Sequence, residues 1–286
     1  MSSTRASGVN AAARSTTSTV LSADGTSLAT EAVGTGPVVV LVDPAMATRR
    51  DSAKLTTALA PHFTVVGYDR RGRGDSGDAD PTGTDVANEV ADVAAVIAAH
   101  GGRAILFGSS SGAVLALEAA ARLGDAVTGL VLYEPPFIVD DSRAPVPHDL
   151  PGRIAADVAA GRTGAASASF FTEAVGVPAA FVAMMRVTPM WRRAKRIVPT
   201  VRYDFAVLEG LQDGRPLPAD RWKDLAASGV VMVGSRSEPF FHAAARSLAE
   251  VVPSIEFEVL EGGHHGTPMM SPATLAGRMI ARFGRR

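Results

Sequence analysis

Val38 to Val42 is an unbroken run of five aliphatic residues, and similar short apolar runs recur over Phe63–Tyr68, Ala104–Phe107, Leu130–Tyr133 and Val230–Val233, with a further strand pattern over Ile255–Leu260. A strand with one wet face alternates apolar and polar residues, so a run without alternation predicts burial on both faces. Between the runs lie helical patterns near Asp51–Ala60, Asp85–His100, Ser111–Leu123, Phe240–Val251 and Pro272–Phe283. Strands that need cover on both sides, alternating with helices that supply it, predict an α/β fold with a mostly parallel, doubly wound sheet. Two alternating segments around the Asp24-Gly25 turn, from Ser18 onward, read as a hairpin at the sheet edge. After Glu134 the rhythm stops: Pro135, Pro136, Pro145, Pro147 and Pro151 precede helical, Met- and Phe-containing segments with no β-rich run. The expected layout is a solvated, disordered Ser/Thr-rich tail over residues 1–17, a core over 18–135 and 225–286, and an inserted helical cap over 136–224.

Composition removes several classes of function. The 28 basic and 29 acidic residues leave a net charge of -1, which offers no field for nucleic acid or an anionic membrane. The absence of cysteine excludes disulfides, thiolate catalysis, iron–sulfur clusters and Cys-type zinc sites. We expect no metal site and no organic cofactor. No run approaches the roughly 18 apolar residues of a membrane span, and the first seventeen residues lack an apolar h-region. The expectation is a soluble, cytoplasmic protein acting on a small molecule, with no sign of an obligate protein partner.

Gly108-Ser109-Ser110-Ser111-Gly112 follows a buried run and opens an Ala-rich helix, the setting a G-x-S-x-G nucleophile elbow requires. Small residues two positions to either side of the serine are needed because a Cβ there would strike the adjoining strand and helix. The turn presents the Ser110 side chain at the sheet's mouth and the Ser111 N–H at a helix N-terminus, where it can meet a developing oxyanion. The competing view is a Ser/Gly-rich loop without chemistry, which the flanking strand and helix argue against.

From Thr19 to the C-terminus the chain resembles the α/β-hydrolase fold family, in its cap-bearing serine esterase and peroxidase-like branch. Besides the elbow, Asp69-Arg70-Arg71-Gly72-Arg73-Gly74-Asp75-Ser76 is similar to the D-x-R-G-x-G-x-S loop of cap-bearing esterases, peroxidase-like hydrolases and dehalogenases. Its arginines, balanced by Asp69 and Asp75, read as braces between loops rather than as a phosphate site. The resemblance places the catalytic His in Glu261-Gly262-Gly263-His264-His265. Family members commonly carry Gly three residues before the His and Pro seven residues after it. Gly262 and Pro272 satisfy both for His265, so it is preferred over His264. The usual acid position is occupied by Ser237. Two carboxylates remain: Glu134, at the strand end where haloalkane dehalogenases carry a catalytic Glu, and Glu238, one residue past the usual place. Glu134 is preferred, because a carboxylate at a buried strand end calls for a partner and a His Nδ1–H fits. The second oxyanion donor of the family follows the first central strand, here Asp43-Pro44-Ala45-Met46. Pro44 has no N–H, so Ala45 is the expected donor and Met46 faces the substrate pocket.

Other features divide between two readings. Trp191-Arg192-Arg193-Ala194-Lys195-Arg196 reads as a solvated helix face more than as a receptor for an acidic substrate. Phe170, Phe171, Phe181, Met184, Met185 and Met190 suit a pocket lining and cap packing equally. Tyr203 and Asp204 either reach the substrate pocket or cap a helix. The resemblance implies a serine hydrolase that cleaves a carboxylic ester, lactone or thioester of a small, mostly apolar molecule through an acyl-enzyme. The alternative is a non-hydrolytic relative that binds a small molecule or shapes a cyclisation under its cap.

Overall fold

The computed structural model describes residues 15–284; the expected tail falls on residues 1–14, outside the described residues, except for Ser15–Thr17, which already belong to the first strand. Eight strands form one sheet: β1 (Ser15–Leu21), β2 (Ser27–Val33), β3 (Val38–Val42), β4 (Thr64–Tyr68), β5 (Ala104–Ser109), β6 (Val127–Tyr133), β7 (Gly229–Gly234) and β8 (Ile255–Leu260). Their order is β1-β2-β4-β3-β5-β6-β7-β8. The β1–β2 hairpin is antiparallel and joins β4 antiparallel, while β4, β3, β5, β6, β7 and β8 are mutually parallel. Eleven α-helices are described: α1 (Ala53–Leu59), α2 (Val86–Ala99), α3 (Ser111–Leu123), α4 (Leu150–Ala159), α5 (Thr163–Ser169), α6 (Ala179–Met185), α7 (Pro189–Ile197), α8 (Val201–Val207), α9 (Pro239–Val251), α10 (Thr267–Met270) and α11 (Ala273–Phe283). None is long and apolar enough to cross a membrane.

The unbroken apolar runs are explained by two cores, one on each face of the sheet. Val39 and Leu41 of β3, Ile105 and Phe107 of β5, and Val131 and Tyr133 of β6 pack with Leu55 and Leu59 of α1 and Leu275 and Met279 of α11. The alternate residues Val40, Val42, Leu106, Leu130 and Leu132 face the opposite way, onto Val93, Val96 and Ile97 of α2 and Val114 and Leu117 of α3. Helix α3 is buried along most of its length, consistent with its Ala-rich composition.

Helices α4 to α8 occupy the segment between β6 and β7, where the sequence predicts a helical insertion. The helices are short, and a six-residue π-helical turn, Phe170–Val175, follows α5. Buried ion pairs fasten the insertion to the core. Arg70 holds Glu89 through two hydrogen bonds of 2.7 Å and also reaches Asp204 of α8 at 2.7 Å. Arg73 meets the other Asp204 oxygen at 2.5 Å and donates to the Pro44 carbonyl at 2.7 Å. Arg71 pairs with Asp92 and Asp24. The arginines therefore brace neighbouring segments, each with carboxylate partners. Arg193, within the basic stretch of α7, adds an ion pair to Asp51 beside α1. Phe170 is buried in a cluster with Phe171 and Phe205, whereas Phe181, Met184 and Met190 are exposed. One face of that set therefore packs the insertion and the other meets solvent.

Asp43, just beyond β3, is 3% exposed; Ser52 donates to its Oδ1, and Oδ2 has no hydrogen-bond partner among the described residues. Burial pushes its carboxyl up to about 7, with Ser52 only partly offsetting the effect. In the unfolded chain the group ionises near pH 3.9, at about the ordinary value. The folded state therefore keeps a proton that the unfolded state releases, and Asp43 costs stability progressively as pH rises through that window, then no more above about 7. Asp43→Asn removes this term. Its melting temperature, measured against the native chain by calorimetry, should gain steadily between pH 4 and pH 7 and hold level above; a pH-independent difference would contradict it.

Candidate active site

Chain order reverses between β3 and β5, and open parallel sheets form a crevice at the carboxyl ends of such neighbouring strands. Among the described residues, three non-glycine residues have positive φ: Met46 (63°), Ser110 (52°) and Glu134 (50°). They follow β3, β5 and β6, three adjacent strands, so the strained backbone gathers at one edge of the sheet. Strain of this kind persists only where surrounding structure enforces it, and it clusters at functional sites.

At Ser110 the enforcing contacts are visible. Its φ and ψ of 52° and -128° turn the chain from β5 directly into α3, and its N–H donates to the Tyr133 carbonyl at 2.9 Å. A Cβ on Gly108 would stand 2.3 Å from the Gly112 carbonyl oxygen, and one on Gly112 would stand 2.2 Å from that of Val42. Both positions are closed to any side chain, as the G-x-S-x-G spacing requires.

Glu134 is completely buried. Its Oε1 accepts from the Gly234 N–H at 2.7 Å and from Ser237 Oγ, leaving Oε2 to lie 2.7 Å from His265 Nδ1. Ser237, the residue in the family's usual acid position, thus holds Glu134 in place. The His265 ring stacks on Phe241, with centroids 4.5 Å apart and planes 17° apart, and its side chain remains 44% exposed. Carboxylate and aromatic face together set the orientation of the imidazole. The closed hydrogen bond is the one between His265 and Glu134, and Ser110 Oγ joins neither residue, an arrangement common where a substrate is needed to tighten the last link.

The alternative residues are placed elsewhere. His264 Nδ1 accepts from the Gly266 N–H, its own N–H donates to Thr267 Oγ1, and its carbonyl accepts from the Tyr133 hydroxyl, so it braces the loop that carries His265. Glu238 is exposed at the N-terminus of α9 and makes no hydrogen bond to His265.

Three expectations are modified. The Ala45 N–H donates to Ser111 Oγ at 2.8 Å and is committed within the protein. Asp204 is 2% exposed: besides Arg70 and Arg73 it accepts from Ser111 Oγ at 2.8 Å, so it underlies the elbow rather than lining a pocket. Burial alone would raise its carboxyl, but the two guanidinium groups and Ser111 hold it below the ordinary carboxylate value. Tyr203 is likewise buried, with its hydroxyl turned to Asp78 at 2.9 Å and to the Asp80 carbonyl. Ser237 and Phe241 are the contacts that sequence reading missed; the displaced acid position was a signal for Ser237, whereas nothing local marks Phe241. A separate cavity of about 920 Å³, lined by residues of the 81–86 loop, α4 and α8, contains none of the residues at the strand ends.

Comparison with known proteins agrees with this architecture. Residues 39–278 match the pattern of the Alpha/beta hydrolase family. An alpha/beta hydrolase from Sphaerobacter thermophilus DSM 20745 is 44% identical, with a TM-score of 0.84 over 93% of this chain and 100% of that one. The esterase RhEst1 from Rhodococcus sp. ECU1013 shares the fold at 23% identity and a TM-score of 0.66, over 93% of this chain and 98% of its own. So does the 2-hydroxy-6-oxo-6-phenylhexa-2,4-dienoate hydrolase from Rhodococcus sp. strain RHA1, at 16% identity and 0.66, over 94% and 99%. The chain belongs to the alpha/beta hydrolase family, with its helical insertion between the sixth and seventh strands.

Proposed function

We propose that the protein is a serine hydrolase that cleaves a carboxylic ester, lactone or thioester of a small, mostly apolar molecule through an acyl-enzyme. The observation that carries this reading is the 2.7 Å contact between His265 Nδ1 and the buried Glu134, adjacent to a serine on a strained elbow. A carboxylate saturated on one oxygen and aimed at Nδ1 with the other leaves Nε2 free to serve as the base.

In the reaction, Ser110 Oγ attacks the substrate carbonyl carbon while His265 Nε2 takes the hydroxyl proton. The carbonyl oxygen becomes an oxyanion, met by the Ser111 N–H at the start of α3 and by an amide of the loop after β3. Collapse expels the alcohol or thiol, protonated by the imidazolium, and leaves an ester on Ser110. Water, deprotonated by His265, attacks that ester and releases the acid with Ser110 restored. Glu134 orients the imidazole and stabilises its cationic form in both halves. Met46 lies on the strand end beside Ser110 and is our candidate for the apolar wall. The chemistry calls on no group beyond these residues and water, and the small-molecule substrate is the only partner it requires.

Labelling with a fluorophosphonate probe tests the proposal. Mass spectrometry should find one probe per chain on Ser110, and none in Ser110→Ala; a folded protein that takes up no probe would refute the reading. For turnover of p-nitrophenyl esters of graded acyl length, Glu134→Gln should lower kcat by about 10² to 10⁴, in line with removal of triad acids elsewhere. Glu238→Gln should cost less than about tenfold, because a solvated carboxylate contributes little. The reverse ranking would transfer the role of acid to Glu238.

A further inference from the structure

The contacts beneath the elbow form a continuous line from the insertion to the loop after β3. Asp204 of α8 accepts from Ser111 Oγ at 2.8 Å, and Ser111 Oγ in turn accepts from the Ala45 N–H at 2.8 Å. Two further bonds grip the same loop by its carbonyls: Arg73 on Pro44 at 2.7 Å and Arg70 on Asp43 at 3.3 Å. Both arginines are clamped by Asp204. Asp204, Ser111, Arg70 and Arg73 are all at most 2% exposed, so the links among them and to the Asp43 and Pro44 carbonyls lie out of water, where a lost partner is costly, while the Ala45 link is partly buried. The amide committed to this network is Ala45, the residue expected to face the oxyanion. The next amide, that of Met46, has no acceptor among the described residues, and Met46 is held at a φ of 63°.

We propose that Asp204 is a positioning residue for the oxyanion site: through Ser111 Oγ and the two arginines it sets the register of residues 43–46, so that Met46 rather than Ala45 supplies the second donor. The proposal rests on the hydrolase reading and deepens it. A hydroxyl side chain directly after the nucleophile receives one loop amide, and the next, that of Met46, is left without an acceptor among the described residues in the turn closed by the Ala47 N–H on the Pro44 carbonyl. The Ser111 N–H and the Met46 N–H then converge on a carbonyl oxygen bound at Ser110. A helical segment far along the chain thereby controls the transition state without touching the substrate.

Ser111→Ala tests the link while leaving the ion pairs of Asp204 with Arg70 and Arg73 in place. The readouts are kcat and KM on a p-nitrophenyl ester hydrolysed by the native chain, the affinity for an alkylboronic acid that forms a tetrahedral adduct with the serine, and the melting temperature. The expected result is a fall in kcat of about 10- to 100-fold, smaller than the loss of a whole oxyanion donor. KM should stay within about twofold, boronate affinity should fall in step with kcat, and melting should be nearly unchanged. Asp204→Asn, where it folds, should show the same split. A kcat that is unchanged or raised in Ser111→Ala would overturn the proposal, because it would mean that Ala45 is the donor and Ser111 merely competes for it. A loss of kcat with boronate affinity unchanged, or one that follows lowered melting alone, would overturn it also. If the native chain neither labels at Ser110 nor hydrolyses the ester, the hydrolase reading itself fails, an outcome distinct from these.

Discussion

The pairing of Asp204 with Arg70 and Arg73 is the interaction on which the arrangement around the strand ends depends. One carboxylate from the insertion bridges two guanidinium groups of the loop after β4, and Glu89 on Arg70 supplies the second negative charge. Ion pairs taken out of water are a weak source of net stability, but breaking one costs several kcal/mol, about 3 to 5, because the partner is left charged and buried. Such a cluster specifies geometry more than it adds stability. Here it determines where the insertion sits on the sheet, how the 43–46 loop leaves β3, and how Ser111 is held beneath the elbow.

A second constraint acts on the sheet side. β3, β5 and α3 meet so closely at Gly108 and Gly112 that backbone oxygens stand where a Cβ would lie. Ser110 is pressed into its strained conformation by that contact. The stack of His265 on Phe241 and the two donors on Glu134 Oε1 do the corresponding work for the imidazole. Ser110, His265 and Glu134 are therefore each fixed by neighbours of different kinds, and their placement is built from packing as much as from hydrogen bonds.

What could be read from the sequence follows the range of the interactions concerned. The strands of the central sheet were legible because burial on both faces leaves unbroken apolar runs, and the elbow because its close approach demands glycine at two specified positions. The antiparallel hairpin was legible from its turn, although β1 begins at Ser15, earlier than expected, since polar residues on an edge strand carry no burial pattern. The contact of His265 with Glu134 was anticipated through the family resemblance, by matching its loop register and strand-end position. Asp204 was noticed but not understood, because its partner Arg70 lies 134 residues away and periodicity carries no information across that distance. Ala45 was chosen by position along the loop, and the Ser111 hydroxyl that takes up its amide is a contact between segments 66 residues apart. The short helices of the insertion, and the split of its Phe and Met residues between packing and solvent, depend on tertiary contacts that side-chain spacing does not encode.

The most direct test of the account is a crystal structure of the protein after reaction with a fluorophosphonate. The account predicts phosphorus bonded to Ser110 Oγ, the phosphoryl oxygen within hydrogen-bonding distance of the Ser111 and Met46 amides, and His265 still joined to Glu134 with Nε2 facing the bound group. An adduct on any other residue, or a His265 that has left Glu134 for another carboxylate, would contradict it.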